Sequence, residues 1–425
     1  MRKLAVILPI LLILSIALAP SASLTTAQDG GEPLKIGLLT DLSAVLQLYG
    51  VELQNGLELG LDYETDGTLE IAGRPIEVVV RDYAGDADLA AQQARELIEV
   101  EGVEILVGAP DSGVTLGLVS IAAEYDVVLM AGPAADPRIT GEFFEPTTFR
   151  ACRNSYHDSL DIASWAVANV GSNYIQLAPD YAFGYGSVAA FAYGFLEKGA
   201  TFVGDPIFVP TDTTEFTPYL QQVIDSGADG ALFTWAGASA INLFQQAAEL
   251  GLGVDEDKPV IITGFNSNDI VTAFADESQI GNVGLIVYHY TLPDNEINDW
   301  LTEQHIERYS DVPDLFTECG FATAQAIVNG VELAEGSTFT EDLIPALEGL
   351  SWEGPKGTYT LRAEDHQATL PMYVVRLDNL DSEEQAFYEL VAEVSAEETA
   401  PPCEAGADRS SETLDCTPLA ERTAE

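Results

Sequence analysis

Short apolar runs alternate with amphipathic segments from Leu34 onward, the series is complete near Arg150, and it starts again after Asn154. Such a pattern belongs to parallel strands, each returned to its sheet by a crossover helix, with both sheet faces covered. The first series predicts strands at Leu34 to Leu39, Ile76 to Arg81, Val103 to Val107 and Val127 to Ala131. Between them fall helices at Gly50 to Tyr63, where Leu53, Leu57 and Leu61 share one face, from Asp86 to about Glu101, and near Gly117 to Tyr125. The second series predicts strands at Asn173 to Ala178, Thr201 to Val209, Gly230 to Thr234, Val260 to Thr263 and Val283 to His289. Its helices fall at Asp158 to Asn169, Val188 to Lys198, Pro218 to Ser226 and Ser239 to Leu250.

Three later helices, at about Glu296 to Tyr309, Cys319 to Glu335 and Thr340 to Leu350, precede a β-rich stretch from Gly357 to Leu377. The expected architecture is therefore α/β, two doubly wound parallel-sheet lobes joined by a three-segment hinge, with crossings near residues 150, 290 and 355. Lobe I would comprise 34–150 plus 290–355, lobe II 151–289 plus 356–395, and 396–425 a disordered acidic tail.

Asp and Glu number 69 against 17 Lys and Arg, a formal net charge of −52. Such a surface repels phosphate backbones and anionic lipid, so nucleic acid is excluded as a partner. It also suits high salt, where self-repulsion is screened. With 47% hydrophobic residues the chain has ample material for a core. Arg2 and Lys3 precede an apolar run from Leu4 to Ala19 and then small residues, the plan of a secretory signal over 1–27 with cleavage at Ala27/Gln28. The mature chain is expected to be exported, periplasmic or at the cell surface, and monomeric. In that compartment Cys403 and Cys416 are expected to pair, while Cys152 and Cys319 either pair or remain buried thiols.

Catalytic motifs are missing from the sequence. There is no Gly-x-Ser-x-Gly, His-Glu-x-x-His or Walker loop, and His157, His289, His305 and His366 lack metal-ligand spacing. Gly184-Tyr185-Gly186 resembles part of a dinucleotide fingerprint, but Ala189 stands where the third glycine belongs, so a turn with close helix packing is the simpler reading. No cofactor is expected, and the chain does not read as an enzyme. What remains are loops at the carboxyl ends of strands, where open α/β sheets bind ligands: 40–50, 108–114 and 132–136 in lobe I, and 179–184, 235–239 and 264–268 in lobe II.

The segments "LKIGLLTDLSAVLQLYGVELQNGLELGLD", "ILVGAPDSGVTLGLVSIAAEYDVVLMAGPAADPRIT", "DYAFGYGSVAAF" and "GADGALFTWAGASAINLFQQAAELGL" resemble, in order, the type I solute-binding proteins of ABC importers, in the branched-chain amino-acid-binding (Leu/Ile/Val) group. The likeness covers roughly residues 34 to 380 and implies capture of a small organic solute between two closing lobes for delivery to a membrane permease. A sensing subunit that reports occupancy to a membrane receptor is the alternative; an exported hydrolase would lack a histidine near Ser112.

The resemblance also implies roles for individual residues. Ser112 falls where the family holds a ligand carboxylate, Tyr49 where an aromatic faces the cleft, and Ala135 where a Thr is usual, leaving the backbone amides of Ala134 and Ala135 as donors. Lobe II departs from the pattern: Trp235 and Phe265-Asn266 occupy loops that in amino-acid binders carry the acid for the ammonium. An ammonium buried without a carboxylate is costly. Together with Phe183, these aromatics fit a small aromatic or apolar acid or amide better than an amino acid, although Asp111 and Asn266 offer another route to an ammonium site. Arg150 and Arg153, at the first crossing, either pair a ligand acid or form a hinge salt bridge.

Overall fold

A computed structural model describes residues 31–403 except 256 and 276. The expected leader lies outside the described residues, as does Cys416, the expected partner of Cys403. Lobe I begins with β1 (Leu34–Thr40), α1 (Gln47–Glu64), β2 (Glu70–Ile71), β3 (Arg74–Asp82), α2 (Ala87–Glu96), β4 (Ile105–Gly108), α3 (Ser112–Tyr125), β5 (Val128–Ala131) and β6 (Thr148–Phe149). They form a six-stranded sheet of order β2-β3-β1-β4-β5-β6, parallel except for the β2–β3 hairpin. That hairpin is absent from the periodicity reading, because its strand of two residues is too short to show alternation; Ala72 and Gly73, both at positive φ, make its turn.

Lobe II holds α4 (Ser155–Asn169), β7 (Asn173–Pro179), α5 (Ala182–Glu197), β8 (Thr201–Phe202), β9 (Ile207–Val209), α6 (Thr217–Asp225), β10 (Gly230–Phe233), α7 (Ala240–Glu249), β11 (Val260–Thr263), α8 (Asn268–Phe274) and β12 (Val283–Ile286). Strands β11, β10, β7, β8 and β9 run parallel, and a parallel bridge from Gly264 to Leu285 adds β12 beside β11. The late chain supplies α9 (Glu296–Tyr309), α10 (Thr317–Leu333), α11 (Thr340–Leu347), β13 (Ser351–Gly354), β14 (Gly357–Leu361), β15 (Ala368–Thr369), β16 (Met372–Leu377) and β17 (Tyr388–Val394). β16 and β17 pair antiparallel onto β12 and finish lobe II.

Helices α9 and α10 return to lobe I. α10 lies against α1 at backbone distance: a Cβ on Gly56 would stand 1.9 Å from Thr317 O, and one on Gly320 would stand 2.3 Å from Leu53 O. Glycine is required at both, since any side chain would force the helices apart.

The third crossing lies at 366–371, not near 355. Gly354 and Gly357 bound the turn of a β13–β14 hairpin whose Trp352 and Tyr359 rings stack, and Tyr359 Oη donates to Glu318 on α10, so the chain stays with lobe I past 355. At the crossing, His366 O accepts from Arg150 N, Arg150 O accepts from Ala368 N, and Gln367 Nε2 donates to Cys152 O at 2.7 Å. Arg150 forms no ion pair with any described residue; its buried guanidinium instead donates to Gln367 Oε1, Ala134 O, Asp136 O and Thr140 Oγ1. Burial pulls its pKa down to about 9. Cys152 and Cys319 form a disulfide. The tail begins later than 396, because Thr399 Oγ1 donates to Leu370 O and Pro401 O accepts from Arg362. No helix among the described residues is long and apolar enough to cross a membrane.

Candidate functional site

Parallel strands deliver their carboxyl ends to one edge of each sheet, and the two edges face each other. After β1, the Asp41 carboxylate accepts from Ser43 N, Ala44 N and Leu46 N, which folds the loop so that Leu46 and Tyr49 reach the cleft. After β4, Asp111 Oδ1 accepts from Val114 N and caps α3, placing Ser112 at the first helical position with 1% exposure. After β5, Pro133 and Ala135 line the wall. From lobe II come Tyr181 and Phe183, Trp235 and Ala236, and Phe265 and Asn266. These residues bound a cavity of about 80 Å³ between the two lobes.

Seven of the nine residues singled out in the sequence line this cavity: Tyr49, Ser112, Ala135, Phe183, Trp235, Phe265 and Asn266. Asp111 does not, because its carboxylate is turned back to cap its own helix. Ala134 does not either; its carbonyl receives Arg150 Nη1 at 2.9 Å, so this stretch of backbone serves the hinge. Asp136 N donates to Ser112 Oγ at 3.4 Å, which leaves the Ser112 hydroxyl proton for a ligand.

The cleft holds one charged pair that the loop pattern does not announce. Asn154 caps α4 by accepting from Tyr156 N, and this sets Asp158 in the first turn of the helix, facing Arg153. Both side chains line the cavity, with Arg153 Nε 3.3 Å from Asp158 Oδ1. The angle makes no hydrogen bond, so both atoms are buried without one. Arg153 Nη1 donates to Pro133 O at 2.7 Å, and its guanidinium lies 5.2 Å from the Phe316 ring centroid. Burial raises the Asp158 pKa, and Arg153 opposes that rise. Arg153 therefore serves the cleft while Arg150 serves the hinge. Phe316 caps α10, more than 160 residues after Arg153, so no local signal in the sequence joins the two.

Trp235 meets Phe216 edge-on at 5.2 Å and donates Nε1–H to Ser239 Oγ at 3.0 Å, which fixes the indole face toward the cavity. Buried tyrosines complete the lining: burial raises the pKa values of Tyr49 and Tyr181, keeping both phenols protonated. Among the described residues no three His, Cys, Asp or Glu side chains gather as a metal site. The arrangement offers hydrogen-bond donors and a cation on one side and aromatic faces on the other, with no nucleophile and base in contact.

Residues 33–384 match the periplasmic binding protein family. A Leu/Ile/Val-binding protein homolog 6 from Brucella melitensis is 24% identical over 368 residues, covering 84% of this chain and 91% of that protein. A crystal structure of an ABC-type branched-chain amino acid transporter protein from Rhodopseudomonas palustris is 33% identical and superposes with a TM-score of 0.72, covering 88% of this chain and 99% of that one. A solute-binding protein of an ABC transporter from Rhodopseudomonas palustris, solved with 3,4-dihydroxybenzoic acid, shares the fold at 23% identity and a TM-score of 0.76, covering 86% of this chain and 98% of that one. With the family match spanning most of its length and a relative of one-third identity covering 88% of it, the chain belongs to the periplasmic binding protein family.

Proposed function

We propose that the cleft captures a small aromatic or apolar carboxylic acid, or its amide, and presents it enclosed to the permease of an ABC importer. The observation that carries this reading is Arg153, a buried guanidinium in the cavity wall whose Nε has no hydrogen-bond partner and whose face is already stacked on Phe316. A carboxylate supplies the missing acceptor in bidentate geometry. Ser112 Oγ–H is a further donor, and Trp235, Phe183 and Phe265 give the apolar body of the ligand aromatic surfaces. The related protein solved with 3,4-dihydroxybenzoic acid supports the same ligand class. Both halves of the site come from one chain, so capture needs no second copy. The place of action is outside the cytoplasmic membrane, as the leader-like N-terminus favours.

Asp158 supports a second reading. Its Oδ1 is also buried without a hydrogen bond, so an ammonium could enter beside it and make the ligand a zwitterionic amino acid. Titration calorimetry with benzoate, 3,4-dihydroxybenzoate, benzamide and leucine separates the two. Binding of the aromatic acids, lost in Arg153→Gln, supports the first reading; tight binding of leucine with the aromatic acids silent overturns it.

A further inference from the structure

The residue before the proposed ligand anchor is one half of a disulfide. Cys152 lies at the first crossing between the lobes and joins Cys319, with Cα atoms 5.2 Å apart and a sequence separation of 167. Cys319 occupies the first turn of α10, whose capping residue, Phe316, is the ring beneath Arg153. The bond therefore spans the cation and the aromatic face that receives it, one residue from Arg153 and three from Phe316.

The surrounding structure gives the bond a firm foundation at one end. α10 is held on α1 by the glycine contacts at 56 and 320, and Phe316 N donates to Glu52 Oε2 on α1 at 3.0 Å. At the other end the chain is a hinge strand, tied to its neighbour by Gln367 Nε2 to Cys152 O. Residues beyond that strand, including Asp158 on α4, belong to lobe II. Without the covalent link, Arg153 stands at the boundary and is free to follow either lobe. Its guanidinium, on a long flexible stem, keeps only Pro133 O, the Phe316 face and Asp158 on α4 as constraints.

We propose that the Cys152–Cys319 disulfide is the positioning device for Arg153, holding the guanidinium on the lobe I wall in the pose that receives a carboxylate. Arg153 thereby stays with Ser112 and Ala135 when the lobes part, and Asp158 withdraws with α4. The carboxylate is captured by lobe I first, and the aromatic loops of lobe II close over it afterwards. An anchor fixed before the ligand arrives saves the ordering cost that a loose arginine would meet on binding. The inference rests on the reading of Arg153 as the carboxylate anchor.

Two measurements test it. The first needs no ligand: mass-spectrometric mapping of phenylglyoxal modification, comparing Arg153 in the cleft wall, 8% exposed, with Arg150, which is fully buried and held by four hydrogen bonds. In the oxidised protein both are protected. In the Cys152→Ala/Cys319→Ala protein, or after phosphine reduction of the native protein, Arg153 should react about tenfold faster while Arg150 stays protected, in line with the loss of one positioned charged contact. Equal exposure of both arginines means general unfolding and overturns the positioning role, as does protection of both.

The second compares benzoate with benzamide by calorimetry. Removing the disulfide should weaken benzoate about tenfold and benzamide by less than about threefold, because only the charged ligand depends on the guanidinium pose. Equal weakening of both, or of neither, sinks the proposal. If Arg153→Gln leaves benzoate binding intact, the anchor reading itself has failed. If Arg153→Gln abolishes the preference for benzoate over benzamide while disulfide removal does not, only the positioning role has failed.

Discussion

Tyr49 Oη of lobe I donates to Asn266 Oδ1 of lobe II at 2.6 Å and accepts from Gly237 N at 3.1 Å, so one phenol holds two loops of the opposite lobe over the cleft. The residue expected as an aromatic wall is also a latch. Its ring meets Phe316 edge-on at 4.7 Å, which aims the hydroxyl across the gap. Tyr49→Phe keeps the ring and removes both bonds, each contributing about 1 kcal/mol net. Ligand affinity should fall about thirtyfold in calorimetry, while the melting temperature of the ligand-free protein barely moves.

Gly237 makes that latch possible. It adopts φ 76°, and a Cβ there would stand 2.7 Å from Val45 O across the cleft. Gly237→Ala should therefore hold the lobes apart. Small-angle scattering is expected to show a larger radius of gyration with saturating ligand than the unsubstituted protein has.

Trp235 contributes to both the cleft and the lobe II core, being 7% exposed and packed on Phe216. Trp235→Ala should cost about 3–5 kcal/mol of stability as well as affinity, visible in denaturant titration. Trp235→Phe retains an aromatic face and should recover most of the stability. A tryptophan substitution that leaves stability untouched would contradict this packing.

The pH dependence follows from an acid pair at the cleft mouth. Asp314 Oδ2 accepts from Asn268 N of lobe II at 2.6 Å, and Glu52, on α1, accepts from Phe316 N. Burial raises the pKa of Asp314 to about 7 and that of Glu52 well above its usual value; the Asp314 carboxylate adds to the rise at Glu52, and Asp269 and Asp311 add to the rise at Asp314. An acid whose folded pKa is raised binds its proton more tightly in the folded state, so stability falls as pH climbs from about 4 through 7 and then levels. Buried His157, His289 and His305 have lowered pKa values and work in the opposite sense below about 6.5. The melting temperature should thus rise as pH drops from 8 to about 6.5, and Asp314→Asn should flatten that slope.

With a formal net charge of −52, self-repulsion opposes the compact state, and a Debye length of about 10 Å at 0.1 M leaves much of it unscreened. Thermal melts from dilute buffer to about 1 M KCl, where that length shrinks to about 3 Å, should move steadily upward. A flat series would show that the acidic surface carries no such cost.

The lobes were legible in the sequence because parallel strands buried on both faces leave largely apolar runs, as at Leu34–Thr40 and Asn173–Pro179, where Lys35 and Gln176 are the only internal polar interruptions. Loops at strand ends were legible for the same reason, and they contain Tyr49, Ser112, Trp235 and Phe265. The strand Tyr388–Val394 was not, since its alternation of Glu389, Leu390 and Glu393 carries too little apolar signal at a sheet edge. Phe316 and Asp158 were missed because what makes them cleft residues is distant: a helix returning from the late chain in one case, a cap that orients a helical turn in the other. Direction of a side chain, as with Asp111 turned to its own helix, is decided by local hydrogen bonds that spacing does not reveal.

The glycine-to-backbone contact between α1 and α10 also orders events in time. On the ribosome, residues of lobe I emerge first, yet the helix that covers α1 is not made until residue 333 has been added. Until then Gly56 and Gly60 of α1 lack the helix backbone they pack against. Most of lobe II, by contrast, is already complete through β12. The lobe that begins first therefore gains its covering helix only after most of lobe II has been made, and lobe II in turn waits for β16 and β17, so neither core closes until nearly the whole chain has been synthesised.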